Sequence, residues 1–295
     1  MNKPRTFLFF LGIVILAILI YFVFPGKILL PQFFQILGWQ IRIYGLLLGV
    51  AVLASYELAR RHAKAHQLPE EQIDNIAIVL IGSGLIGARL YHVFSSWEYY
   101  LANPVAILLI WQGGLSIFGA VIGGVIGLWI YLRTIKLGIP LAKVLDWLTP
   151  SLVLGQIIGR FGNLFNYEAY GLPTQLPWKM FVPTEFRLAP YLAAEFFHPL
   201  FLYESLGSLL ILVILLNFSK LTSRFNWLEF PGARIWLWVG LYGILRLGTE
   251  SLRVDSPYFL GLKQNLLVAI LMITTSCGVL FWHRFHLNNY ESKSS

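Results

Sequence analysis

Charge is scarce in this sequence of 295 residues: Asp, Glu, Lys and Arg together make up 12% of it, against roughly 25% in ordinary soluble domains. Cysteine is scarcer still. The single one, Cys277, lies inside an apolar run, which excludes a disulfide framework and a cysteine zinc site and gives little reason to seek a thiol nucleophile. No G-x-x-x-x-G-K-[ST] phosphate loop occurs, and no solenoid-period repeat or low-complexity segment is visible. What remains is apolar. Hydrophobic residues reach 57% and the mean hydropathy is +0.70, so a water-soluble domain, a disordered chain and a collagen-like chain are all excluded. The formal net charge of +8 does not indicate nucleic acid, because the basic residues are dispersed near the ends of apolar runs rather than gathered on one polar face.

Eight apolar runs approach or reach the roughly 18 to 20 residues that cross a bilayer core: 7–24, 43–59, 76–96, 114–132, 142–159, 199–217, 233–251 and 265–283. The first follows Lys3 and Arg5 and ends on Pro25, Gly26 and Lys27. It is longer than a signal-peptide core and lacks a small-x-small cleavage site, which reads as an uncleaved anchor. An inside N-terminus places Arg60, Arg61, Lys64, Arg133, Lys136, Lys220, Arg224, Arg284 and Lys293 in the cytoplasm, as positive-inside insertion requires. Residues 160–198, rich in proline and aromatics, then form a small head on the outer face, its rings suited to the headgroup level. The expected fold is all-α, a polytopic transmembrane bundle of seven or eight spans with a small extracytoplasmic head. Its parts are an anchor and outer loop at 1–37, one transmembrane domain at 38–285 and a cytoplasmic tail at 286–295.

Ionisable groups inside spans cost several kcal/mol by most estimates and need a partner, a wet cavity or a function. Tyr242, Arg246, Glu250 and Arg253 recur at helical spacing within roughly an 80° arc of one face. Two readings follow: an Arg246/Glu250 pair that only holds the bundle together, or an anion site in which a guanidinium grips a phosphate and a carboxylate orients it. The segment GRFGNLFNYEAYG at 159–171 supplies Arg160, Asn163, Asn166 and Glu168 beside glycines that permit close backbone approach. It suits either a satisfied helix end or a site, and two asparagines beside an intramembrane arginine favour a site. His198 opens the next span with Pro199, and Glu204, a turn further in, must pair with an arginine of another helix. Arg89 is expected to be functional or to pair with a carboxylate, His92 to be structural, and Asp146 to lie toward the cytoplasm. The 119-xxx-123-xxx-127 glycines read as helix packing.

Five motifs in this order resemble the bacterial prolipoprotein diacylglyceryl transferases over roughly residues 38–285: IRIYG at 41–45, GGLSIFG at 113–119, GRFGNLFNYEAYG at 159–171, HPLFLYE at 198–204 and YGILRLGTESLR at 242–253. The third is similar to the family signature G-R-x-G-N-F-x-N-x-E-x-x-G, with Leu164 in place of an aromatic. The resemblance implies transfer of the diacylglyceryl group of phosphatidylglycerol to the lipobox cysteine of a prolipoprotein, with no metal or organic cofactor, in a bacterial cytoplasmic (inner) membrane and on its extracytoplasmic side. Its partners are the lipid, the lipobox-bearing signal peptide and the bilayer, with no nucleic acid. Carried over residue by residue, it gives a catalytic set of Arg160, Arg246 and Glu250. The substrate-binding set is Tyr44, Asn163, Asn166, Glu168, Gly171, His198 and Tyr242. Two features depart from the family pattern. Phe118 stands where the family often has a histidine proposed as base, so the thiol is activated by the arginines or by Glu250, Glu168 or His198; and the first span is additional. A non-catalytic or altered-specificity relative, and a lipid carrier or transporter, are the alternatives.

Overall fold

The computed structural model describes residues 12, 14, 17–65, 69–136, 138–259 and 261–294. Much of the first expected span, 7–24, lies outside the described residues, as do Lys3 and Arg5. Its described end closes in a π-helical turn, Leu19–Val23. The other seven expected spans each fall on a helix: α1 Ile43–Ala65, α2 Glu70–Ser95, α4 Ile117–Thr134, α5 Leu141–Asn166, α6 Leu200–Leu216, α8 Ala233–Leu252 and α9 Gln264–Ser294. Short α3, Trp97–Ala102, follows α2, and short α7, Phe218–Arg224, follows α6.

Five of these helices are long and apolar enough to cross a membrane, or six if α6 and α7, bent by 60°, count as one broken span. Composition therefore credits fewer crossings than the seven or eight expected. The polytopic helical architecture stands; α8 falls short because it carries Arg234, Arg246 and Glu250. Two boundaries also move. Helix α5 continues seven residues past the expected end at 159, so Arg160 and Asn163 ride its last two turns and the head begins after Asn166. Helix α4 starts three residues late, because Gly113 and Gly114 take left-handed φ of 98° and 71°, which glycine permits without steric penalty.

The chain divides into two compact units, Tyr56–Leu148, and Met1–Ser55 with Thr149–Ser295. In the first, α2 and α4 meet along glycines. A Cβ added at Gly119 would lie 2.2 Å from the Gly87 carbonyl oxygen, and one at Gly123 would lie 2.5 Å from that of Ser83. Only residues without a side chain allow the two backbones this close, which is the packing the glycine spacing predicts. The carboxylate partner expected for Arg89 is not found among the described residues. Buried between the helices and the following turns, Arg89 donates to the carbonyls of Ile107, Gly113 and Gly114 at 2.7 to 2.9 Å and to that of Ala106. The guanidinium's planar fork of donors is used to fold the segment 104–114. His92 is structural as expected, its Nδ1 3.0 Å from the Tyr100 hydroxyl.

In the second unit the head after α5 is tied by two short antiparallel strands, β3 Met180–Phe181 and β4 Phe196–Phe197. Tyr167, Tyr170, Met180, Val182 and Phe197 form its core with Leu19, Val23 and Phe24 from the described end of the first helix and Phe201 and Leu202 from α6. The Phe181 amide also donates to the Phe24 carbonyl at 2.8 Å. The N-terminal segment is thus built into the head rather than appended to it.

Candidate functional site

Four helix ends of the second unit carry the site: the C-terminal turns of α5 and α8, the first turn and a half of α6, and the start of α9. A carboxylate organises them. Glu204 on α6, 1% exposed, pairs with Arg160 of α5, with Arg246 of α8 at 2.7 Å and, at 3.7 Å, with Arg253 at the end of α8. A buried carboxylate is tolerated only with such partners, and here one anion is shared by three cations. Arg160 also receives the lone pair of the Tyr242 hydroxyl, its Nη2 donating at 3.0 Å.

Arg246 reaches Glu250, one turn along its own helix, with its other terminal nitrogen at 2.7 Å. Glu250 is fully buried and takes further hydrogen bonds from Ser256 and from the Asn265 amide at 3.2 Å. Three donors so placed fix the carboxylate, which in turn orients Arg246. Arg253 is gripped by Asp255 at 2.6 Å. Burial works against its charge, but the bond to Asp255 and the field of Glu204 hold its pKa above the ordinary guanidinium value. Lys263, on the short hairpin β5 Tyr258–Phe259 and β6 Leu262–Lys263, donates to the carbonyls of Glu250 and Arg253 at 3.1 and 2.7 Å, closing the end of α8 with a cation where carbonyls are left over.

Tyr44, on the first turn of α1, lies flat against Gly162: a Cβ there would sit 2.5 Å from its ring. The ring is within electrostatic reach of Glu168 and Arg160. Past α5 the chain turns through Tyr167 and Ala169, both at positive φ, 51° and 54°. Such conformations are uncommon for residues with side chains and are held by their surroundings. Here the Tyr167 hydroxyl is locked to the backbone of Leu30. The turn presents Glu168, exposed and accepting from the Asn166 amide at 3.1 Å.

Of the residues expected from sequence, Arg160, Tyr242, Arg246 and Glu250 are joined in one network. Tyr44 is within electrostatic reach of it through Arg160, Asn163 follows Arg160 by three residues on α5 with its carbonyl accepting from the Glu168 amide at 3.1 Å, and Asn166 with Glu168 forms a second pair on the turn. Gly171 serves close backbone approach: its amide donates to the His198 carbonyl at 2.9 Å, and a Cβ would lie 2.8 Å from the His198 Cβ. His198 belongs to a separate chain of hydrogen bonds. The Trp178 indole, which can only donate, gives to the Tyr203 hydroxyl at 2.7 Å, and that hydroxyl lies 3.1 Å from His198 Nδ1. Burial lowers the His198 pKa. Glu204, foreseen only as needing a partner, is the hub of the site. Arg253, Ser256, Lys263 and Asn265 join it as well; among these only Arg253 carried a sequence signal, its place on the polar face of α8.

The family model for the prolipoprotein diacylglyceryl transferases matches residues 31–282. Curated relatives carry the name phosphatidylglycerol–prolipoprotein diacylglyceryl transferase. One from Thermotoga maritima is 41% identical over 260 residues, 88% of this chain and 87% of the relative. One from Synechococcus elongatus is 38% identical over 261 residues, 88% of each chain. A third, from Parasynechococcus marenigrum, is 39% identical over 272 residues, 88% of this chain and 95% of the relative.

Proposed function

The chain belongs to the prolipoprotein diacylglyceryl transferase family, and we propose that it moves the diacylglyceryl group of phosphatidylglycerol onto the lipobox cysteine of a prolipoprotein. The observation that carries this reading is the convergence of Arg160, Arg246 and Arg253 on Glu204. The shared carboxylate draws three guanidiniums together, and with Lys263 they are four cations against the three carboxylates Glu204, Glu250 and Asp255, an excess of one positive charge for an anionic headgroup. In a bilayer such cations act on a phosphate more strongly than in water.

In the step itself the cysteine thiolate attacks the glycerol carbon that bears the phosphate. A carbon–sulfur bond forms, the carbon–oxygen bond breaks, and its electron pair leaves with the phosphate oxygen as glycerol 1-phosphate. Arg160, partly exposed, and Arg246 stabilise the charge that grows on that oxygen. Tyr44, Asn163 and Tyr242 border the headgroup and orient it. Among the groups considered as base, Glu250 is engaged by Arg246, Ser256 and Asn265, and Nδ1 of His198 by the Tyr203 hydroxyl. Glu168 is exposed with a single side-chain hydrogen bond, and it takes the thiol proton. The site faces the outer leaflet of the bacterial cytoplasmic membrane, a placement supported by the lysines and arginines at the opposite helix ends.

The test is incubation of the purified chain with phosphatidylglycerol vesicles and a lipobox peptide, read by mass spectrometry. Thioether-linked peptide supports the assignment. No product, beside an active relative under the same conditions, would overturn it.

A further inference from the structure

Between the first helix and α1 the chain forms a hairpin, β1 Phe33–Ile36 and β2 Trp39–Arg42, that no described residue covers. We propose that this hairpin is a lipid-inserting element, its tip seated in the headgroup and upper acyl region of the membrane that α1 crosses. Ile36 pairs with Trp39, leaving a two-residue loop of Leu37 and Gly38 with φ of 50° and 83°. Two-residue loops of this kind ordinarily carry Asn, Asp or Gly at the first position. Leucine offers no local hydrogen bond to offset the conformation, yet here it stands 95% exposed, with Trp39 78% exposed. A residue that is wrong for a turn in water is the right one for a turn in lipid.

The ribbon is apolar on one face. Successive residues of a strand point to opposite sides, so the pairs Phe34/Ile41 and Ile36/Trp39 line one face, Phe34, Ile36 and Trp39 all exposed, while Phe33 shares the other with Gln35, Gln40 and Arg42. No charged residue occurs from Pro31 to Ile41. Two-stranded hairpins are marginal on their own in water. An added strand from an acceptor peptide or a second copy would cover an edge and leave the apolar face wet, whereas a ribbon lying in the interface buries that face in lipid and keeps Gln35, Gln40 and Arg42 toward the headgroups. Continuity fixes the location: Arg42 is followed directly by Ile43, first residue of a membrane-spanning helix. A four-residue strand reaches about 13 Å, so the tip stays near the interface, where tryptophan and a basic root residue are at home.

The base of the hairpin is fastened to the site. The Ile43 amide donates to the Gln32 carbonyl at 3.0 Å, the Gln32 side chain to the Asn166 carbonyl at 3.4 Å, and the Leu30 amide to the Tyr167 hydroxyl at 2.7 Å. On the transferase reading, and resting on it, the hairpin flanks the path by which the donor lipid enters from the outer leaflet.

Insertion itself is tested without reference to activity. Leu37→Cys and, separately, Trp39→Cys are introduced into the full chain carrying Cys277→Ser, labelled with a polarity-sensitive fluorophore, and reconstituted into vesicles containing phosphatidylglycerol. Blue-shifted emission at both positions, quenched by lipids brominated near the headgroup and resistant to aqueous iodide, is the expected result. Emission like that in water with iodide quenching close to that of the free dye, at either position, overturns the proposal. So does protection that appears only after lipobox peptide is added, which would make the hairpin a peptide-docking edge. Transferase activity assayed beside a water-exposed probe would leave the proposed function standing while the insertion failed.

Discussion

Arg246 divides its two terminal nitrogens between helices, one on Glu204 of α6 and one on Glu250 of its own helix, each at 2.7 Å. A lysine keeps the charge but has one compact ammonium in place of the rigid fork. Arg246→Lys should therefore fold and lose about 100-fold or more in turnover, the scale of a lost oxyanion donor. Thioether formation at saturating donor, beside the unfolding midpoint, measures both. Full activity in the lysine variant would mean that charge alone suffices.

Glu204→Gln leaves Arg160, Arg246 and Arg253 without their shared anion in a buried place. Removing one partner of a buried pair costs about 3–5 kcal/mol. A large drop in the thermal midpoint of the detergent-solubilised protein is expected, together with loss of activity. Adding Arg246→Leu should cost less than the two single changes summed, because they touch one network; strict additivity would deny the coupling.

Glu168→Gln keeps shape and the contact with Asn166 but cannot take a proton. We expect a fall in kcat/KM of about 100-fold or more, with the unfolding midpoint unchanged. An unaltered kcat/KM would move the proton to another acceptor.

His198 binds a proton less readily than an exposed histidine because burial lowers its pKa. The unfolded chain then takes up the proton first as pH falls through roughly 6.5, so this residue's contribution to stability is full at higher pH and declines below that value. His198→Gln should show a shallower loss of unfolding midpoint between about pH 6.5 and 5 than the parent chain. Parallel curves for the two proteins would contradict it.

Two glycines on α4 should respond with opposite sign. At Gly119 a methyl meets the Gly87 carbonyl at 2.2 Å, while at Gly124 the nearest neighbour is a Leu80 methyl at 3.7 Å. Gly119→Ala should destabilise by about 1–3 kcal/mol through overpacking. Gly124→Ala should be neutral or stabilise by roughly 0.5–1 kcal/mol, as alanine restricts the unfolded chain. Similar midpoints for the pair would refute the close α2/α4 approach.

Local spacing made much of the site readable. Tyr242, Arg246 and Glu250 share a face because a helix returns every 3.6 residues or so, and the glycines of α4 signalled close packing for the same reason. The carboxylate partner expected of Arg89 gave way to carbonyls because a buried guanidinium is as well satisfied by four of them, and nothing local tells the two apart. The end of α5 was placed early because Arg160 looks like a loop residue by polarity, whereas its partners Glu204 and Tyr242 lie on other helices and let the helix continue.

By itself the sequence determined that the chain lives in a membrane, where its helices fall, and which few polar residues need an explanation. Those outcomes follow from composition and from contacts within a turn or two of the chain. Only the tertiary structure decided that Glu204 gathers Arg160, Arg246 and Arg253, that Glu250 bonds Ser256 and Asn265 as well as Arg246, and that the hairpin at 33–42 stands uncovered beside α1. Each of those depends on which turns of distant helices meet at the same level, and no local periodicity encodes that.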